Sequence, residues 1–403
     1  MLRLLPLVLG AFAIGAETFL ISGVLPEIAA DLHVTAAAAG SLVTIFAIAY
    51  AFGSPLIAVA TAGVERKRLL IGAIFAFALA NLVAAAAPNF FGLAAARVLL
   101  ALAAGTFMPA AVAFATALFS AEHRGRAIAL IYAGMTLATV VGVPAGTYLA
   151  SIAGWRAPFF GVAGLAALAG VGVAAVLPRL TGLRAAGFAE RLAVLRRADV
   201  LQMLTLTALA LVGPFAVNTF MGVLIESALG VGGEQLALAL VFFGVVSFIG
   251  SQFGGYAADR WPRERFLTLV FAVLIAGFPL MSLGPHIGGP AGAALLFAGI
   301  GLWGLFGWAF PIVQQARLVS LDPAMAPITL SLNVSALYVG VAVGSSLGAW
   351  TIARWSVDAI GLVAGLTEVV ALIWLALTGA LKPANQASQS ETSSEAVYFA
   401  PGE

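Results

Sequence analysis

From residue 4 to residue 381 the chain is a succession of apolar runs of about 20 residues or more, separated mostly by short polar turns. A helix of that length spans the ~30 Å hydrocarbon core of a bilayer, and inside lipid each backbone polar group must find its partner within the helix. Twelve runs meet this requirement: 4–27, 36–61, 69–87, 91–118, 127–151, 158–178, 200–225, 236–258, 266–284, 291–316, 328–352 and 357–381. The expected fold is an all-α membrane protein. The short connections make successive helices antiparallel neighbours.

Composition closes off the other classes. Hydrophobic residues make up 62% of the 403 and charged residues 9%, against about 25% charged in ordinary soluble chains. The basic residues stand singly between apolar runs, which is not the footprint of a nucleic-acid binder. With no cysteine there is no disulfide and no thiolate metal site, and neither a metal nor a cofactor is expected. The N-terminus, Met1-Leu-Arg-Leu-Leu-Pro, enters the first run without a cleavage-site pattern and reads as a retained span.

One long polar break divides the runs, from Arg179 to Val200. It carries Arg179, Arg184, Arg191, Arg196 and Arg197 against Glu190 and Asp199. Leu192 and Leu195 fall on one face of a short helix there. That helix reads either as lying on an anionic membrane surface or as part of a solvated linker. Arg3, Arg66, Lys67, Arg68, Arg124, Arg126, Arg260, Arg263, Arg265, Arg317 and Lys382 fall on the same side as the break. Only Arg156 and Arg354 fall on the other. This asymmetry places both termini and the central break in the cytoplasm. The expected units are residues 1–178 (first six-helix bundle), 179–199 (cytoplasmic basic linker), 200–381 (second six-helix bundle) and 382–403 (a polar tail expected to be disordered).

The halves echo one another. Glu65-Arg66 after the second run matches Asp259-Arg260 after the eighth, Pro109 matches Pro311, Ser120 loosely matches Ser320, and Trp155 precedes Trp355 by half the chain. Two pseudo-symmetric bundles with a binding site near mid-membrane follow from such a repeat.

Several motifs carry a family resemblance. They are the first run from Ala16-Glu-Thr-Phe to Asp31, the loops Gly63-Val-Glu-Arg-Lys-Arg68 and Gly255-Tyr-Ala-Ala-Asp-Arg260, the stretch Arg97 to Gly105, and Gly134, Gly142, Pro144 and Gly146. In these the chain resembles the major facilitator superfamily, in particular its twelve-span drug:proton antiporters near bacterial sugar-efflux and chloramphenicol exporters. Glu65 stands where that family usually has Asp. The resemblance implies a monomer in a bacterial inner membrane, exporting a small molecule, a sugar or an amphipathic drug, in exchange for protons. The alternative is an importer of a small nutrient.

Intramembrane charges mark candidate sites. Glu17 lies about 13 residues, ~20 Å, along its helix from one side, and Arg97 about six residues, ~9 Å, along its helix from the other. Their depths coincide, and the resemblance makes their helices neighbours. The expected pair is either a proton-coupling switch or a fixed ion pair. A carboxyl that gains and loses a cationic neighbour changes its proton affinity. Glu368, midway along the twelfth run, faces a neighbouring helix, is protonated, or reaches lipid headgroups, with a coupling role as the further alternative. The histidines His33, His123 and His286 read as loop residues. Thr18, Asn218, Asn333 and Tyr338 supply polar groups for a substrate or for neighbouring helices; Phe107, Met108, Phe220 and Trp308 supply an apolar wall or ordinary packing. Glu65, Arg66, Asp259 and Arg260 are expected as gate charges or as basic anchors. Gly134, Gly142 and Gly146 share a helical face that permits close packing, and Pro144 permits a bend. The resemblance associates this motif with exporters. Gly340, Gly344 and Gly348 repeat the spacing in the second half.

Gly299 to Gly304 and Gly344 to Gly348 match nucleotide-binding and nucleophile-elbow patterns, but both lie inside apolar runs without a preceding strand. No phosphate-binding loop is present, and an enzyme is not expected.

Overall fold

The computed structural model describes residues 2–119, 121–180, 187–323 and 325–380. The tail 382–403, Arg184 and Ser120 lie outside the described residues.

Twelve helices are long and apolar enough to cross a membrane. They comprise α1 (Leu5–Asp31), α2 (Ala36–Ala60), α3 (Arg66–Ala85), α4 (Phe90–Leu118), α5 (Ala121–Leu137) continued by α6 (Val143–Ala153), and α7 (Ala157–Val176). After the break come α8 (Phe188–Leu195), α9 (Ala198–Thr219) with α10 (Met221–Leu229), and α11 (Gly233–Arg260). Then follow α12 (Arg263–Ile287), α13 (Gly289–Leu302) continued by α14 (Phe310–Leu321), α15 (Ala326–Arg354) and α16 (Ile360–Ala380). Among the described residues there is no strand.

Helix ends follow local chemistry. Thr35 accepts from Ala38 N–H, Asn89 from Gly92 N–H, and Glu65 from Lys67 and Arg68 N–H, so each satisfies donors left free at a helix start. At the end remote from the arginine-rich loops, Asp31 accepts from Arg156 Nη1 at 2.6 Å and Trp155 Nε1 at 3.0 Å. Arg156 also donates to Ala87 O, which ties three turns together.

Helices α1 to α7 pack as one bundle and α9 to α16 as a second. Two spans are not uniform α-helix. The fifth contains a π-turn at Ala138–Gly142 and the tenth one at Trp303–Gly307, each just before a proline, Pro144 and Pro311. Proline removes a backbone donor, and a π-turn absorbs the register change. Gly244 of α11 packs against Thr139 and Val140 in the first π-turn, while its Gly250 packs against Gly304 and Leu305 in the second. One helix thus touches both irregular turns.

The linker helix α8 is seated on the second bundle, in place of the bilayer surface that its amphipathic pattern also allowed. Val194 is fully buried with Val200, Leu204 and Leu332, whereas Leu192 is exposed. Arg191 donates to Ser331 Oγ at 2.8 Å and Arg197 to Asp322 at 2.8 Å. Arg197 also clasps Asp199; these bonds, to Asp199 and then Asp322, hold its guanidinium proton more tightly than usual. Two histidines are helical: His123 is in α5, and His286 in the last turn of α12, where its Nδ1 meets Ser282 O.

Candidate functional site

The bundles meet along α2 with α15, α6 with α11, and α1 with α10. Many of the named contacts lie toward the end remote from the arginines. There Thr44 Oγ1 lies 2.7 Å from Ser345 Oγ. The Phe220 ring, at the break between α9 and α10, sits between Gly40 of α2 and Gly348 of α15, and a methyl group at either glycine would collide with it. Gly222 of α10 fits against Ser22 O of α1. At the basic end, α5 packs on α1 and α4, and α14 on α9, α11, α12 and α15, each inside its own bundle.

At mid-depth Phe19 bridges the bundles, its ring 5.7 Å from that of Trp308 and 6.3 Å from that of Phe215. Above it a gap lined by Ser22, Thr139, Asn218 and Met221 holds about 10 Å³, no more than one water.

The structure brings Glu17 and Arg97 into a direct ion pair, with both side chains fully buried. Arg97 Nη1 donates to Glu17 Oε1, its Nε to Leu42 O at 3.3 Å, and its guanidinium lies 4.3 Å from the Phe46 ring centre. Glu17 Oε2 and Arg97 Nη2 have no hydrogen-bond partner in the protein. Tyr338 arrives from the second bundle. It stacks on Tyr50 with ring centres 3.9 Å apart, lies 6.1 Å from Phe46, and stands beside Thr18. The ion pair therefore belongs to the first bundle, while part of its cover belongs to the second.

Other candidates are placed elsewhere. Phe107 is packed inside the first bundle, where its ring takes the space that a side chain at Gly10 would need, next to Ile74. Asn333 is packed inside the second, accepting from Thr207 Oγ1 at 2.7 Å. Phe220 is fully buried, in the contact between α2 and α15. Met108 and Asn218 are buried, Trp308 half-buried. Glu65 caps α3, Arg66 is buried, Asp259 and Arg260 are exposed, and Arg260 lies over the Tyr256 ring. Asp259 makes no ion pair among the described residues, so the expected gate contact to it is not formed here. Gly134, Gly142 and Gly146 all face α1, against Val8, Ala16 and Leu20. Among the described residues no group of acidic and histidine side chains could hold a metal.

Sequence reasoning missed three site residues: Phe19, Phe46 and Tyr50. Tyr50 alone had a signal, as a phenol in the middle of the second run. A second cluster was missed as well. Gln314 Nε2 donates to Met203 O at 2.8 Å and to Thr207 Oγ1 at 3.2 Å, while Arg317 donates to Gln314 Oε1 at 3.0 Å and lies 3.5 Å from Glu264.

The comparisons agree with this architecture. Residues 7–317 match the family model described as Major Facilitator Superfamily. The MFS-type transporter YbcL of Bacillus subtilis is 31% identical over 363 residues, 90% of this chain and 92% of that one. A chloramphenicol resistance protein of Streptomyces lividans is 37% identical over 286 residues, 69% of this chain and 73% of that one. A solved bacterial homologue of the human lysosomal transporter Spinster superposes with a TM-score of 0.75 at 16% identity, covering 94% of this chain and 96% of that one. The chain belongs to the Major Facilitator Superfamily, and is a multi-pass membrane transporter rather than an enzyme.

Proposed function

We propose that the protein exports a small amphipathic molecule in exchange for protons, by alternating access, with Glu17 as a proton-binding group and Arg97 as its partner. The observation that carries this reading is the cover over the ion pair. Tyr338 belongs to the bundle opposite, so rocking the bundles apart removes Tyr338 from Phe46 and Tyr50 and opens a path to Glu17. Access to the proton site and movement of the bundles then become one event. The unmet Glu17 Oε2 and Arg97 Nη2 leave room for a proton on one and a substrate acceptor near the other.

The arginine-rich loops support a reading in which the basic end faces the cytoplasm, in a bacterial inner membrane and with the chain acting as a monomer. In this reading the seal at Phe220 closes the outside, as in the cytoplasm-facing half of the cycle. Glu65, Arg66, Asp259 and Arg260 stand at the end that closes in the other half. Outward direction is supported by the Gly134, Gly142, Pro144, Gly146 motif and by the chloramphenicol resistance relative. Thr18, Asn218, Trp308 and Tyr338, with Phe19, are the residues best placed to meet substrate. Phe19 and Trp308 suit an amphipathic drug better than a sugar.

The test is proton movement in everted membrane vesicles with a pH-sensitive dye and a panel of sugars and amphipathic drugs. A compound that collapses an imposed gradient through the wild type, and not through Glu17→Gln, supports coupled export and names the substrate class. Equilibration of labelled substrate with no proton movement would make the chain a facilitator and the ion pair structural.

A further inference from the structure

The second bundle holds an acid that the Glu17 reading does not use. Glu368 of α16 is fully buried, and neither carboxyl oxygen has a hydrogen-bond partner in the protein. It lies directly over α9: a methyl group at Gly213 would fall 2.8 Å from Glu368 Oε1, 2.6 Å from Thr367 Oγ1 and 2.7 Å from Ala364 O. Glycine is required there for the approach. No cation is near. The elements packed on α16 are α9, α12, α15 and the turn Val357–Ala359. Their charged or titratable groups are Asp199 on α9, Arg263, Glu264, Arg265 and His286 on α12, Tyr338 and Arg354 on α15, and Asp358 in the turn. All but Tyr338 sit toward the ends of those elements, and Tyr338 is stacked on Tyr50 of the first bundle. A buried carboxyl with no cation and no hydrogen-bond donor beside it has nothing to compensate a charge.

What Glu368 touches gives the proton a consequence. Pro214, the next residue after Gly213, leaves the Ala210 carbonyl without its helical donor and weakens α9 at that level. Less than two turns further, α9 ends and Phe220 enters the seal between Gly40 and Gly348. We infer that Glu368 is a second protonation site, neutral while this seal is closed, and that loss of its proton parts α9 from α16 and withdraws Phe220. This inference goes beyond the Glu17 proposal and does not depend on it.

The chain has no cysteine, so spin labels at Ser151→Cys and Gln235→Cys report on the seal without removing native thiols. Both residues are exposed, and Ser151 adjoins Gly233 two residues before Gln235. The labelled protein is reconstituted in nanodiscs in a Glu17→Gln background, which keeps failure of the Glu17 reading separate. Raising the pH should lengthen the label distance when Glu368 is present and leave it short with Glu368→Gln. The infrared band of a protonated carboxyl should be present below the transition and lost with Glu368→Gln. Glu368→Asp, which keeps an acid one methylene shorter, should retain band and opening at a shifted pH, and serves if the Gln variant does not fold. An identical band with and without Glu368 overturns the inference. So does a distance that ignores pH in the presence of Glu368, opening of the Gln variant like its parent, or opening that requires sodium ions.

Discussion

The two bundles share a backbone plan and differ in the polar chemistry buried within them. In the first, Glu17 and Arg97 form a charged pair with one unmet atom on each partner, beneath a residue of the other bundle. In the second, Gln314 joins Met203, Thr207 and Arg317, and Thr207 joins Asn333. That cluster is held by α9, α14 and α15 alone and runs toward Glu264 at the basic end. The difference teaches a division of labour. A charged pair with partners missing can change state when its cover leaves, whereas in the second bundle amides and hydroxyls link the helices in the interior and the charge, Arg317 with Glu264, stands at the edge of the cluster. The repeat supplies the frame, and the two halves fill it with different buried polar groups.

Removing one member of the charged pair should produce the largest effect. Arg97→Leu leaves Glu17 buried without its cation, and breaking such a pair costs about 3–5 kcal/mol. The expected result is a large fall in thermal stability of the detergent-solubilised protein, with most of it recovered in the double variant Glu17→Gln with Arg97→Leu. An unchanged single variant would mean that the first bundle is as tolerant as a neutral one, and the contrast between the halves would collapse.

The cluster around Gln314 should respond less and in a different way. Gln314→Leu strands one Arg317 donor, while the Met203 carbonyl keeps the Thr207 hydroxyl; the loss is on the order of 1–3 kcal/mol for an unsatisfied buried group. Stability should drop while the pH dependence of transport stays that of the wild type. Glu17→Gln should lose stability too, because it leaves the buried Arg97 without its anion, but unlike Gln314→Leu it should also flatten the pH profile. A shifted pH profile in Gln314→Leu would show that the second cluster also carries protons.

Much of this frame could be read from the sequence, and the reasons are physical. Helix rise turns residue number into depth, so two isolated charges in apolar runs could be matched across helices that the family resemblance makes neighbours. Run lengths gave the spans because lipid forces the backbone to pair within each of them. The direction each side chain faces was much harder to read. A run apolar on every side has no polar face to orient it, and so Phe107 and Asn333 looked like cavity residues although both are packed inside bundles. Arg317 counted as a loop anchor, and its partner Gln314 went unnoticed because a single amide near a span end resembles an interface residue. The π-turns at Ala138–Gly142 and Trp303–Gly307 leave a proline as their only trace in sequence.

The smallest effect is expected at the linker, where the contrast between the halves can be sharpened at its edge. Helix α8 rides on the second bundle through Val194, Arg191 and Arg197. Arg197 is half-buried, and its ion pairs with Asp199 and Asp322 remain open to solvent on one side, where screening and side-chain entropy cancel much of the attraction. Arg197→Ala should therefore leave thermal stability within error of the wild type, and should leave transport unchanged at physiological salt. Val194→Asp tests the apolar part of the same contact, because it buries a charge among Val200, Leu204 and Leu332. It should release α8, read as faster protease cleavage within 187–197, while both bundles stay folded. If Arg197→Ala alone frees the helix, charge and not burial holds the linker, and the second bundle depends on electrostatics as the first does.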